Sequence, residues 1–476
     1  MTGAESGLRD FFDLKRWAVF WFVVSIVVLF SVSSLALGFA GIKYDAEGGA
    51  AWQKLHPATY AAVLALVFGF LGVKRRWLFL REVAARMPGL AFFALFWLQL
   101  MVYAALVRHA PFTPLFETFL IGPTALLFDD QLPDSVKRSL RLFLHVLLFV
   151  NALLGVAELL LHFRVFPYVV AGEDVSGDYR STALLGHPLL NAATSGAYLL
   201  CLYFGGDRSL GAATRAALIF VQLLGMAAFG GRTAIIMSAL IIAAHTTKDL
   251  AFLLFGARFD MRRALAAAIA APLLLSMGAY ALLGGYLDDL IGRFIDDKGS
   301  AEARLIMVQL FDSFSLTDLL IGPDPQVVDT KLMSLGISVG IENSWIALLF
   351  EYGGLMTLFF CIGFFALLWE LLRRSRRGAL ELIIFFIVLV SSALGIAAKT
   401  MIFNEFAVVL LFMLGKEAPR AALAASPPEP ERIKEASRPG EEFRGRERRF
   451  VNEAVRTRTR SSVVSRGVEA GGCEGV

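Results

Sequence analysis

Apolar runs broken by short charged or Gly/Pro-bearing segments repeat from near the start of the chain to position 414. Runs such as WAVFWFVVSIVVLF and ELIIFFIVLVSSALGIAA are apolar on every side. That is the pattern of a helix bathed in lipid, because a helix resting on a water-soluble core would carry a polar stripe. Read with the length needed to cross a bilayer, the spans fall at 17–37, 59–73, 90–106, 115–128, 142–161, 188–204, 216–229, 233–245, 264–283, 344–369, 380–398 and 400–414. They predict an all-α polytopic membrane protein with about twelve transmembrane helices. The fourth is the weakest, since Glu117 and Pro123 interrupt it.

Composition strengthens this picture: 57% of the 476 residues are hydrophobic and the mean hydropathy is +0.65. The charge pattern adds orientation. Lys15 and Arg16; Lys74, Arg75, Arg76, Arg81 and Arg86; Lys137, Arg138 and Arg141; Arg208 and Arg215; Lys248, Arg258, Arg262 and Arg263; and Arg373, Arg374, Arg376 and Arg377 occupy alternate loops. Cation-rich loops stay in the cytoplasm, so both termini are expected there. The formal charge of +4 therefore reports orientation, and no nucleic-acid motif accompanies it. The first span is long, is flanked by charge and lacks a small-residue cleavage pattern, so it is expected to remain as an anchor.

Two domains follow from composition. Residues 1–415 hold the spans, and residues 416–476 are rich in Arg, Glu, Pro and Ser and too poor in apolar residues to build a core. The second segment is expected to be a disordered cytoplasmic tail, solvated or touching anionic lipid headgroups through its basic stretches. Cys201 and Cys361 lie inside spans and Cys473 in the tail, so no disulfide framework is expected. The six histidines lack ligand spacing, and no metal site is expected. His145 and His162 read as packed or interfacial residues.

One outer loop, 284–343, is far longer than its neighbours. Within it Ser300 can cap a helix, Glu302 suits the helix's positive first turn, and Met307, Leu310, Phe311 and Phe314 share one apolar face. Arg304 then lies in the first turns of a short helix over the membrane surface, and the prolines of GPDP end it.

Candidate chemistry concentrates on the predicted outer side. Arg164 reads as an interfacial cation whose stem snorkels. Arg180, in GDYRSTALLGHPLLN, suits a phosphate contact and a simple loop charge equally. Arg232 sits in the turn FGGRTA between two spans read as about 14 residues each, or roughly 21 Å against a ~30 Å hydrocarbon core. A guanidinium drawn below the surface in this way calls for an anion, and Gly230 and Gly231 let backbone N–H groups approach it. Arginine suits diphosphate through its planar, permanently charged fork. Glu342, at the start of the tenth span, has two readings: a helix-capping acid, or a half-desolvated carboxylate serving as general base. Glu351 and Tyr352 follow deeper in the same span, Glu351 as a functional group or as the partner of another helix.

The segments YRSTALLGHPLLNAA, FGGRTA, EARLIMVQ, IENSW and FEYGGL, in that order and on one predicted side, resemble the O-antigen polymerase and O-antigen ligase superfamily of bacterial envelope proteins, exopolysaccharide polymerases included. The resemblance runs from Asp178 to about Gly354. It implies a metal-independent glycosyltransferase without cofactor, taking an undecaprenyl-diphosphate-linked glycan as donor on the periplasmic face of the inner membrane. Arg180, Arg232 and Arg304 match arginines expected to bind the diphosphate, and Arg232 and Glu342 are expected to be catalytic. His187, Asn343, Glu351 and Tyr352 match supporting positions.

Two departures from the family pattern are present, and the first of them matters. Glu342 stands where the family has His, which moves the expectation from a ligase acting on a lipid A core toward a polymerase of repeat units; His187 replaces an Asn before the proline. The implied partners are a lipid-linked oligosaccharide, membrane lipids and a chain-length regulator. The alternative from another class is a lipid-linked oligosaccharide flippase, kept open by Glu117, Glu158, Glu351 and Glu405 within the spans.

Overall fold

The computed structural model describes residues 13–46, 48–170, 173–174, 180–254, 307, 309–336, 341, 343–392 and 395–416. Arg304, Glu342, the predicted span 264–283 and the predicted tail beyond Lys416 lie outside the described residues. Among the described residues the regular structure is helical apart from a two-residue antiparallel ladder, Val169 opposite Asp174 and Val170 opposite Glu173, and one isolated bridge between Ser375 and Gly415.

Helix starts follow local chemistry. α1 (Leu14–Ser31) is capped by Asp13, and the short α2 (Ser34–Phe39) by Ser33. α3 (Pro57–Leu71) opens with Pro57 at its first position and the His56 ring accepting from Ala58 N–H. α4 (Arg76–Arg86) turns away from α3 by 116°. α5 (Pro88–Leu106), α6 (Thr113–Phe119), α7 (Ile121–Asp129) and α8 (Asp134–Leu161) follow, then α9 (Pro188–Tyr203), α10 (Ala212–Phe229) and α11 (Arg232–Leu254). After two short helices, α12 (Leu316–Ile321) and α13 (Pro325–Ser334), come α14 (Ser344–Tyr352), α15 (Gly354–Arg374), α16 (Ala379–Ser392) and α17 (Ile402–Leu414).

This is an α-helical membrane protein, and among the described residues five or six helical units have the length and apolarity of a span. α1, α5, α8, α10 and α15 are each long and apolar enough to cross a membrane, and α3 with α4 makes a sixth if that bent pair is one span. The fourth predicted span is broken at Leu120, and the tenth at Gly353, whose φ is +83°. α17 is only 13 residues long, and all of them are buried. Most of α9 is buried as well. The bilayer sets the length of a helix only where lipid touches it. A helix enclosed by other helices is as apolar as a span without needing a span's length.

α17 is the centre around which the bundle packs. Phe403 meets Phe119 of α6 and Phe364 of α15 at 5.6 and 5.2 Å between ring centroids, and Phe406 stacks on Phe386 of α16 at 4.4 Å. Close approaches use small residues: a Cβ on Gly89 of α5 would lie 2.2 Å from the Ala366 carbonyl oxygen of α15.

Polar contacts define two ends. At one, Arg374 pairs with Asp130 at 2.6 Å, Arg373 donates to the Arg86 carbonyl, and Arg376 N–H to the Leu414 carbonyl. Asp207 belongs to this end through its N–H on the Met413 carbonyl, and its carboxylate accepts from Ser209 and His145, with Arg141 at 3.8 Å. His145 is thereby a packed structural residue; its other ring nitrogen meets Tyr198 Oη at 2.6 Å. Burial works against the charge on Asp207, but Ser209, His145 and Arg141 together hold its carboxyl below the usual carboxylate range. A depressed carboxyl stabilises the fold above its unfolded pKa, and that contribution disappears as pH falls through the folded value. Asp207→Asn should therefore lower the apparent melting temperature at neutral pH, with the gap to wild type closing as the pH drops below about 4. A gap independent of pH in melting curves would refute this account.

Candidate functional site

The opposite end brings together Arg180 and Arg232, and its organising group is Glu158. This side chain lies in the last turn of α8 and is only 3% exposed. One oxygen, Oε2, accepts from Ser181 Oγ at 2.6 Å, Thr182 N–H at 3.0 Å and Ala183 N–H at 2.9 Å; Oε1 accepts from Val165 N–H at 2.9 Å. One carboxylate thus bolts both flanks of the 162–187 segment to the helix. Asn151, two turns earlier, accepts from Leu184 N–H and donates to Asn191 Oδ1 at 2.8 Å; Asn191 in turn donates to the Thr182 carbonyl at 2.7 Å. The turn they hold is strained, with Ala183 at φ +39°, a conformation that a residue with a Cβ adopts at a cost of about 1 kcal/mol or more.

Arg180 immediately precedes this turn. Its neighbour Ser181 donates its N–H to the Ala228 carbonyl near the end of α10 at 3.2 Å, joining the Arg180 segment to the turn that carries Arg232. Gly230 ends α10 at φ +67°, a left-handed cap that glycine adopts without strain. Gly231 is required for another reason: a Cβ there would lie 2.2 Å from the Ala192 Cβ in the first turn of α9. Arg232 then opens α11. The structure therefore brings Arg180 and Arg232 onto adjoining turns.

One premise needs correction. α10 has 18 residues and α11 has 23, in place of the roughly 14 read from the hydropathy pattern, so helix length does not draw the Arg232 turn beneath the bilayer surface. The short estimate arose because Ala212, Ala213, Thr214 and Arg215 at one end and Thr246 to Lys248 at the other are polar or small enough to look like loop.

Arg164 also joins this end. It donates to the Arg180 carbonyl at 3.4 Å and lies over the Tyr168 ring at 5.6 Å from the centroid, a placement more specific than surface snorkelling. His187 caps α9, its Nδ1 accepting from Leu189 N–H, and its Nε2 lies 3.4 Å from Tyr168 Oη. Its role here is that of a cap.

The other predicted residues are organised separately. Asn343 caps α14, its Oδ1 accepting from Trp345 and Ile346 N–H while its Nδ2 donates to the Ser391 carbonyl. Tyr352 is fully buried. The Glu351 carbonyl accepts from Arg108 Nε at 3.0 Å, and the same guanidinium donates to the Gly322 and Pro323 carbonyls at 2.7 and 2.5 Å. Arg108, absent from the sequence-derived set, therefore clasps the GPDP turn to the α14–α15 break. Its acceptors are main-chain carbonyls more than 200 positions away, which no residue pattern announces.

A second polar cluster lies at the same end. Glu117 of α6 is fully buried, with Lys399 Nζ 3.7 Å from its Oε2 and the His56 N–H donating to its Oε1. Lys399 sits over the Tyr44 ring, donates to the Tyr44 carbonyl at 2.8 Å and lies 3.6 Å from Asp45. Burial pushes the Lys399 ammonium down, against the pull of Glu117 and Asp45. Burial also drives His56 down to about 4, against the Val32 carbonyl and aided by the Lys399 charge, so the ring is neutral at physiological pH, its Nδ1 accepting from Ala58 N–H and its Nε2 donating to the Val32 carbonyl. Among the described residues no three His, Cys, Asp or Glu side chains converge as a metal site. No protein-family model and no curated protein matches the chain.

Proposed function

We propose that the protein is a glycosyltransferase that polymerises undecaprenyl-diphosphate-linked repeat units into an exopolysaccharide or O-antigen chain at the periplasmic face of a bacterial inner membrane. The observation that carries this reading is the link from Ser181 N–H to the Ala228 carbonyl, with Gly231 pressed on Ala192, which sets the Arg180 and Arg232 segments side by side. Two guanidinium-bearing turns on a rigid frame suit a diphosphate better than a single charge. In this reading the acceptor hydroxyl oxygen attacks the anomeric carbon of the donor sugar, the bond to the diphosphate breaks, and the proton passes to Glu342. Undecaprenyl diphosphate leaves, its growing charge met by Arg180, Arg232 and Arg304.

Strains carrying Arg232→Ala or Glu342→Gln, with the protein present in the membrane at wild-type level, should lose long-chain surface glycan and accumulate single lipid-linked repeats. Removing one charge-stabilising donor costs about a hundredfold or more in rate. Normal chain-length distributions in both variants would overturn the assignment.

A flippase is the second reading, favoured by one observation: the buried Glu117–Lys399 pair lies against broken backbone, at the α6–α7 break and the non-helical stretch before α17. Discontinuous helices with buried charge are a hallmark of transport sites. The position of the accumulated repeats separates the two, because a lost polymerase leaves them accessible from the periplasm and a lost flippase leaves them inside.

A further inference from the structure

α4 satisfies two demands that neither water nor hydrocarbon meets alone. It packs Arg76, Arg81, Glu82 and Arg86 into eleven residues, directly after Lys74 and Arg75, which excludes it from the bilayer core. None of its residues is buried against the rest of the protein, however, and Trp77, Leu78 and Leu80 are 80%, 52% and 46% exposed. A tryptophan left open in this way is costly in water and at home at the headgroup boundary. The 116° bend from the apolar α3 is the geometry of a helix that leaves the hydrocarbon and lies across its edge.

The cations point to what lies there. Arg86 is paired with Glu82 at 2.5 Å, and Arg76 folds back over the Phe70 ring at 5.4 Å. Lys74, Arg75 and Arg81 are exposed and form no ion pair among the described residues. The helix also abuts the arginine cluster at the end of α15, where Arg373 donates to the Arg86 carbonyl. Three unpaired cations beside an interfacial tryptophan form a surface complementary to lipid phosphate with net negative charge.

We propose that the 74–86 segment is a binding site for the headgroup of an anionic phospholipid, with Lys74, Arg75 and Arg81 on the phosphate and Trp77, Leu78 and Leu80 set into the acyl boundary. This site lies at the opposite end of the bundle from Arg180 and does not depend on the glycosyltransferase reading.

The test reconstitutes the full-length protein in phosphatidylcholine bilayers doped with the same small fraction of either brominated phosphatidylglycerol or brominated phosphatidylcholine. Quenching due to Trp77 is the difference between wild type and Trp77→Phe. It should be stronger with the anionic lipid, and the preference should weaken as salt is raised. In the Lys74→Gln/Arg75→Gln/Arg81→Gln variant the preference should fall about tenfold or more, since each basic residue near a charged surface contributes a factor of roughly five. Equal quenching by the two lipids, or no quenching of Trp77 by either, would overturn the proposal. The salt series on wild type decides the matter if the triple variant does not fold.

Discussion

Glu158→Ala should unlatch the Arg180 turn, with loss of surface glycan and a large loss of stability. Four donors converge on this carboxylate inside the protein: Ser181 Oγ and the N–H groups of Val165, Thr182 and Ala183. Truncation leaves all four facing an apolar gap, and each buried unsatisfied group costs about 1–3 kcal/mol, so a net loss of about 4 kcal/mol or more is expected after local rearrangement. Stored strain enlarges the displacement of the turn, while its release offsets a small part of the loss. Ala183 at φ +39° is held there by this carboxylate and, through Asn191, by the Thr182 carbonyl, and it will relax once released.

The measurement is thermal denaturation in detergent beside chain-length analysis of the glycan. A drop in apparent melting temperature of at least about 5 °C should accompany loss of long chains. Glu158→Gln separates shape from charge: it keeps one acceptor oxygen for part of the set and should lose less of both readouts. An unchanged melting temperature in Glu158→Ala would show that the turn holds without its anchor.

The contrast with what the sequence revealed is instructive here. Arg232 was legible because it breaks an apolar pattern at a helix boundary, where a charge stands out one residue at a time, whereas Arg180 lies in a polar loop and was singled out by the motif resemblance. Their adjacency was not legible, since it rests on a main-chain bond from Ser181 to Ala228 and on Gly231 fitting against Ala192. Glu158 was visible as a carboxylate within a span, but its partners are backbone amides about 25 positions on, and any residue type presents such amides. Helix existence was read well and helix extent poorly. The Ala- and Thr-rich ends of α10 and α11 carry little hydropathy, yet they continue the helices because alanine has the highest helix propensity. Arg164 was legible as an interfacial cation, but its carbonyl partner, Arg180, was not.

Lys399 falls between two predicted spans and nothing in the sequence singles it out, yet it supplies the other large effect. Lys399→Met should destabilise the fold by about 3 kcal/mol, because the fully buried Glu117 would lose the cation 3.7 Å away and would have to take up a proton to stay buried. Glu117→Gln should cost less. Lys399 retains Asp45, the Tyr44 carbonyl and the Tyr44 ring, and at 17% side-chain exposure it also reaches water. The double variant Lys399→Met/Glu117→Gln removes both charges together and should be more stable than Lys399→Met alone, with a coupling of about 1–3 kcal/mol in a double-mutant cycle. Coupling of that size means that the pair is a clasp between the loop after α2, the last turn of α6 and the segment leading into α17. Strict additivity would sink that conclusion, because Lys399 and Glu117 would then be adjacent without depending on one another. The cycle also bears on the transport reading: a pair that merely clasps can be replaced by Met and Gln with glycan synthesis retained, whereas a pair that must open and close during transport cannot.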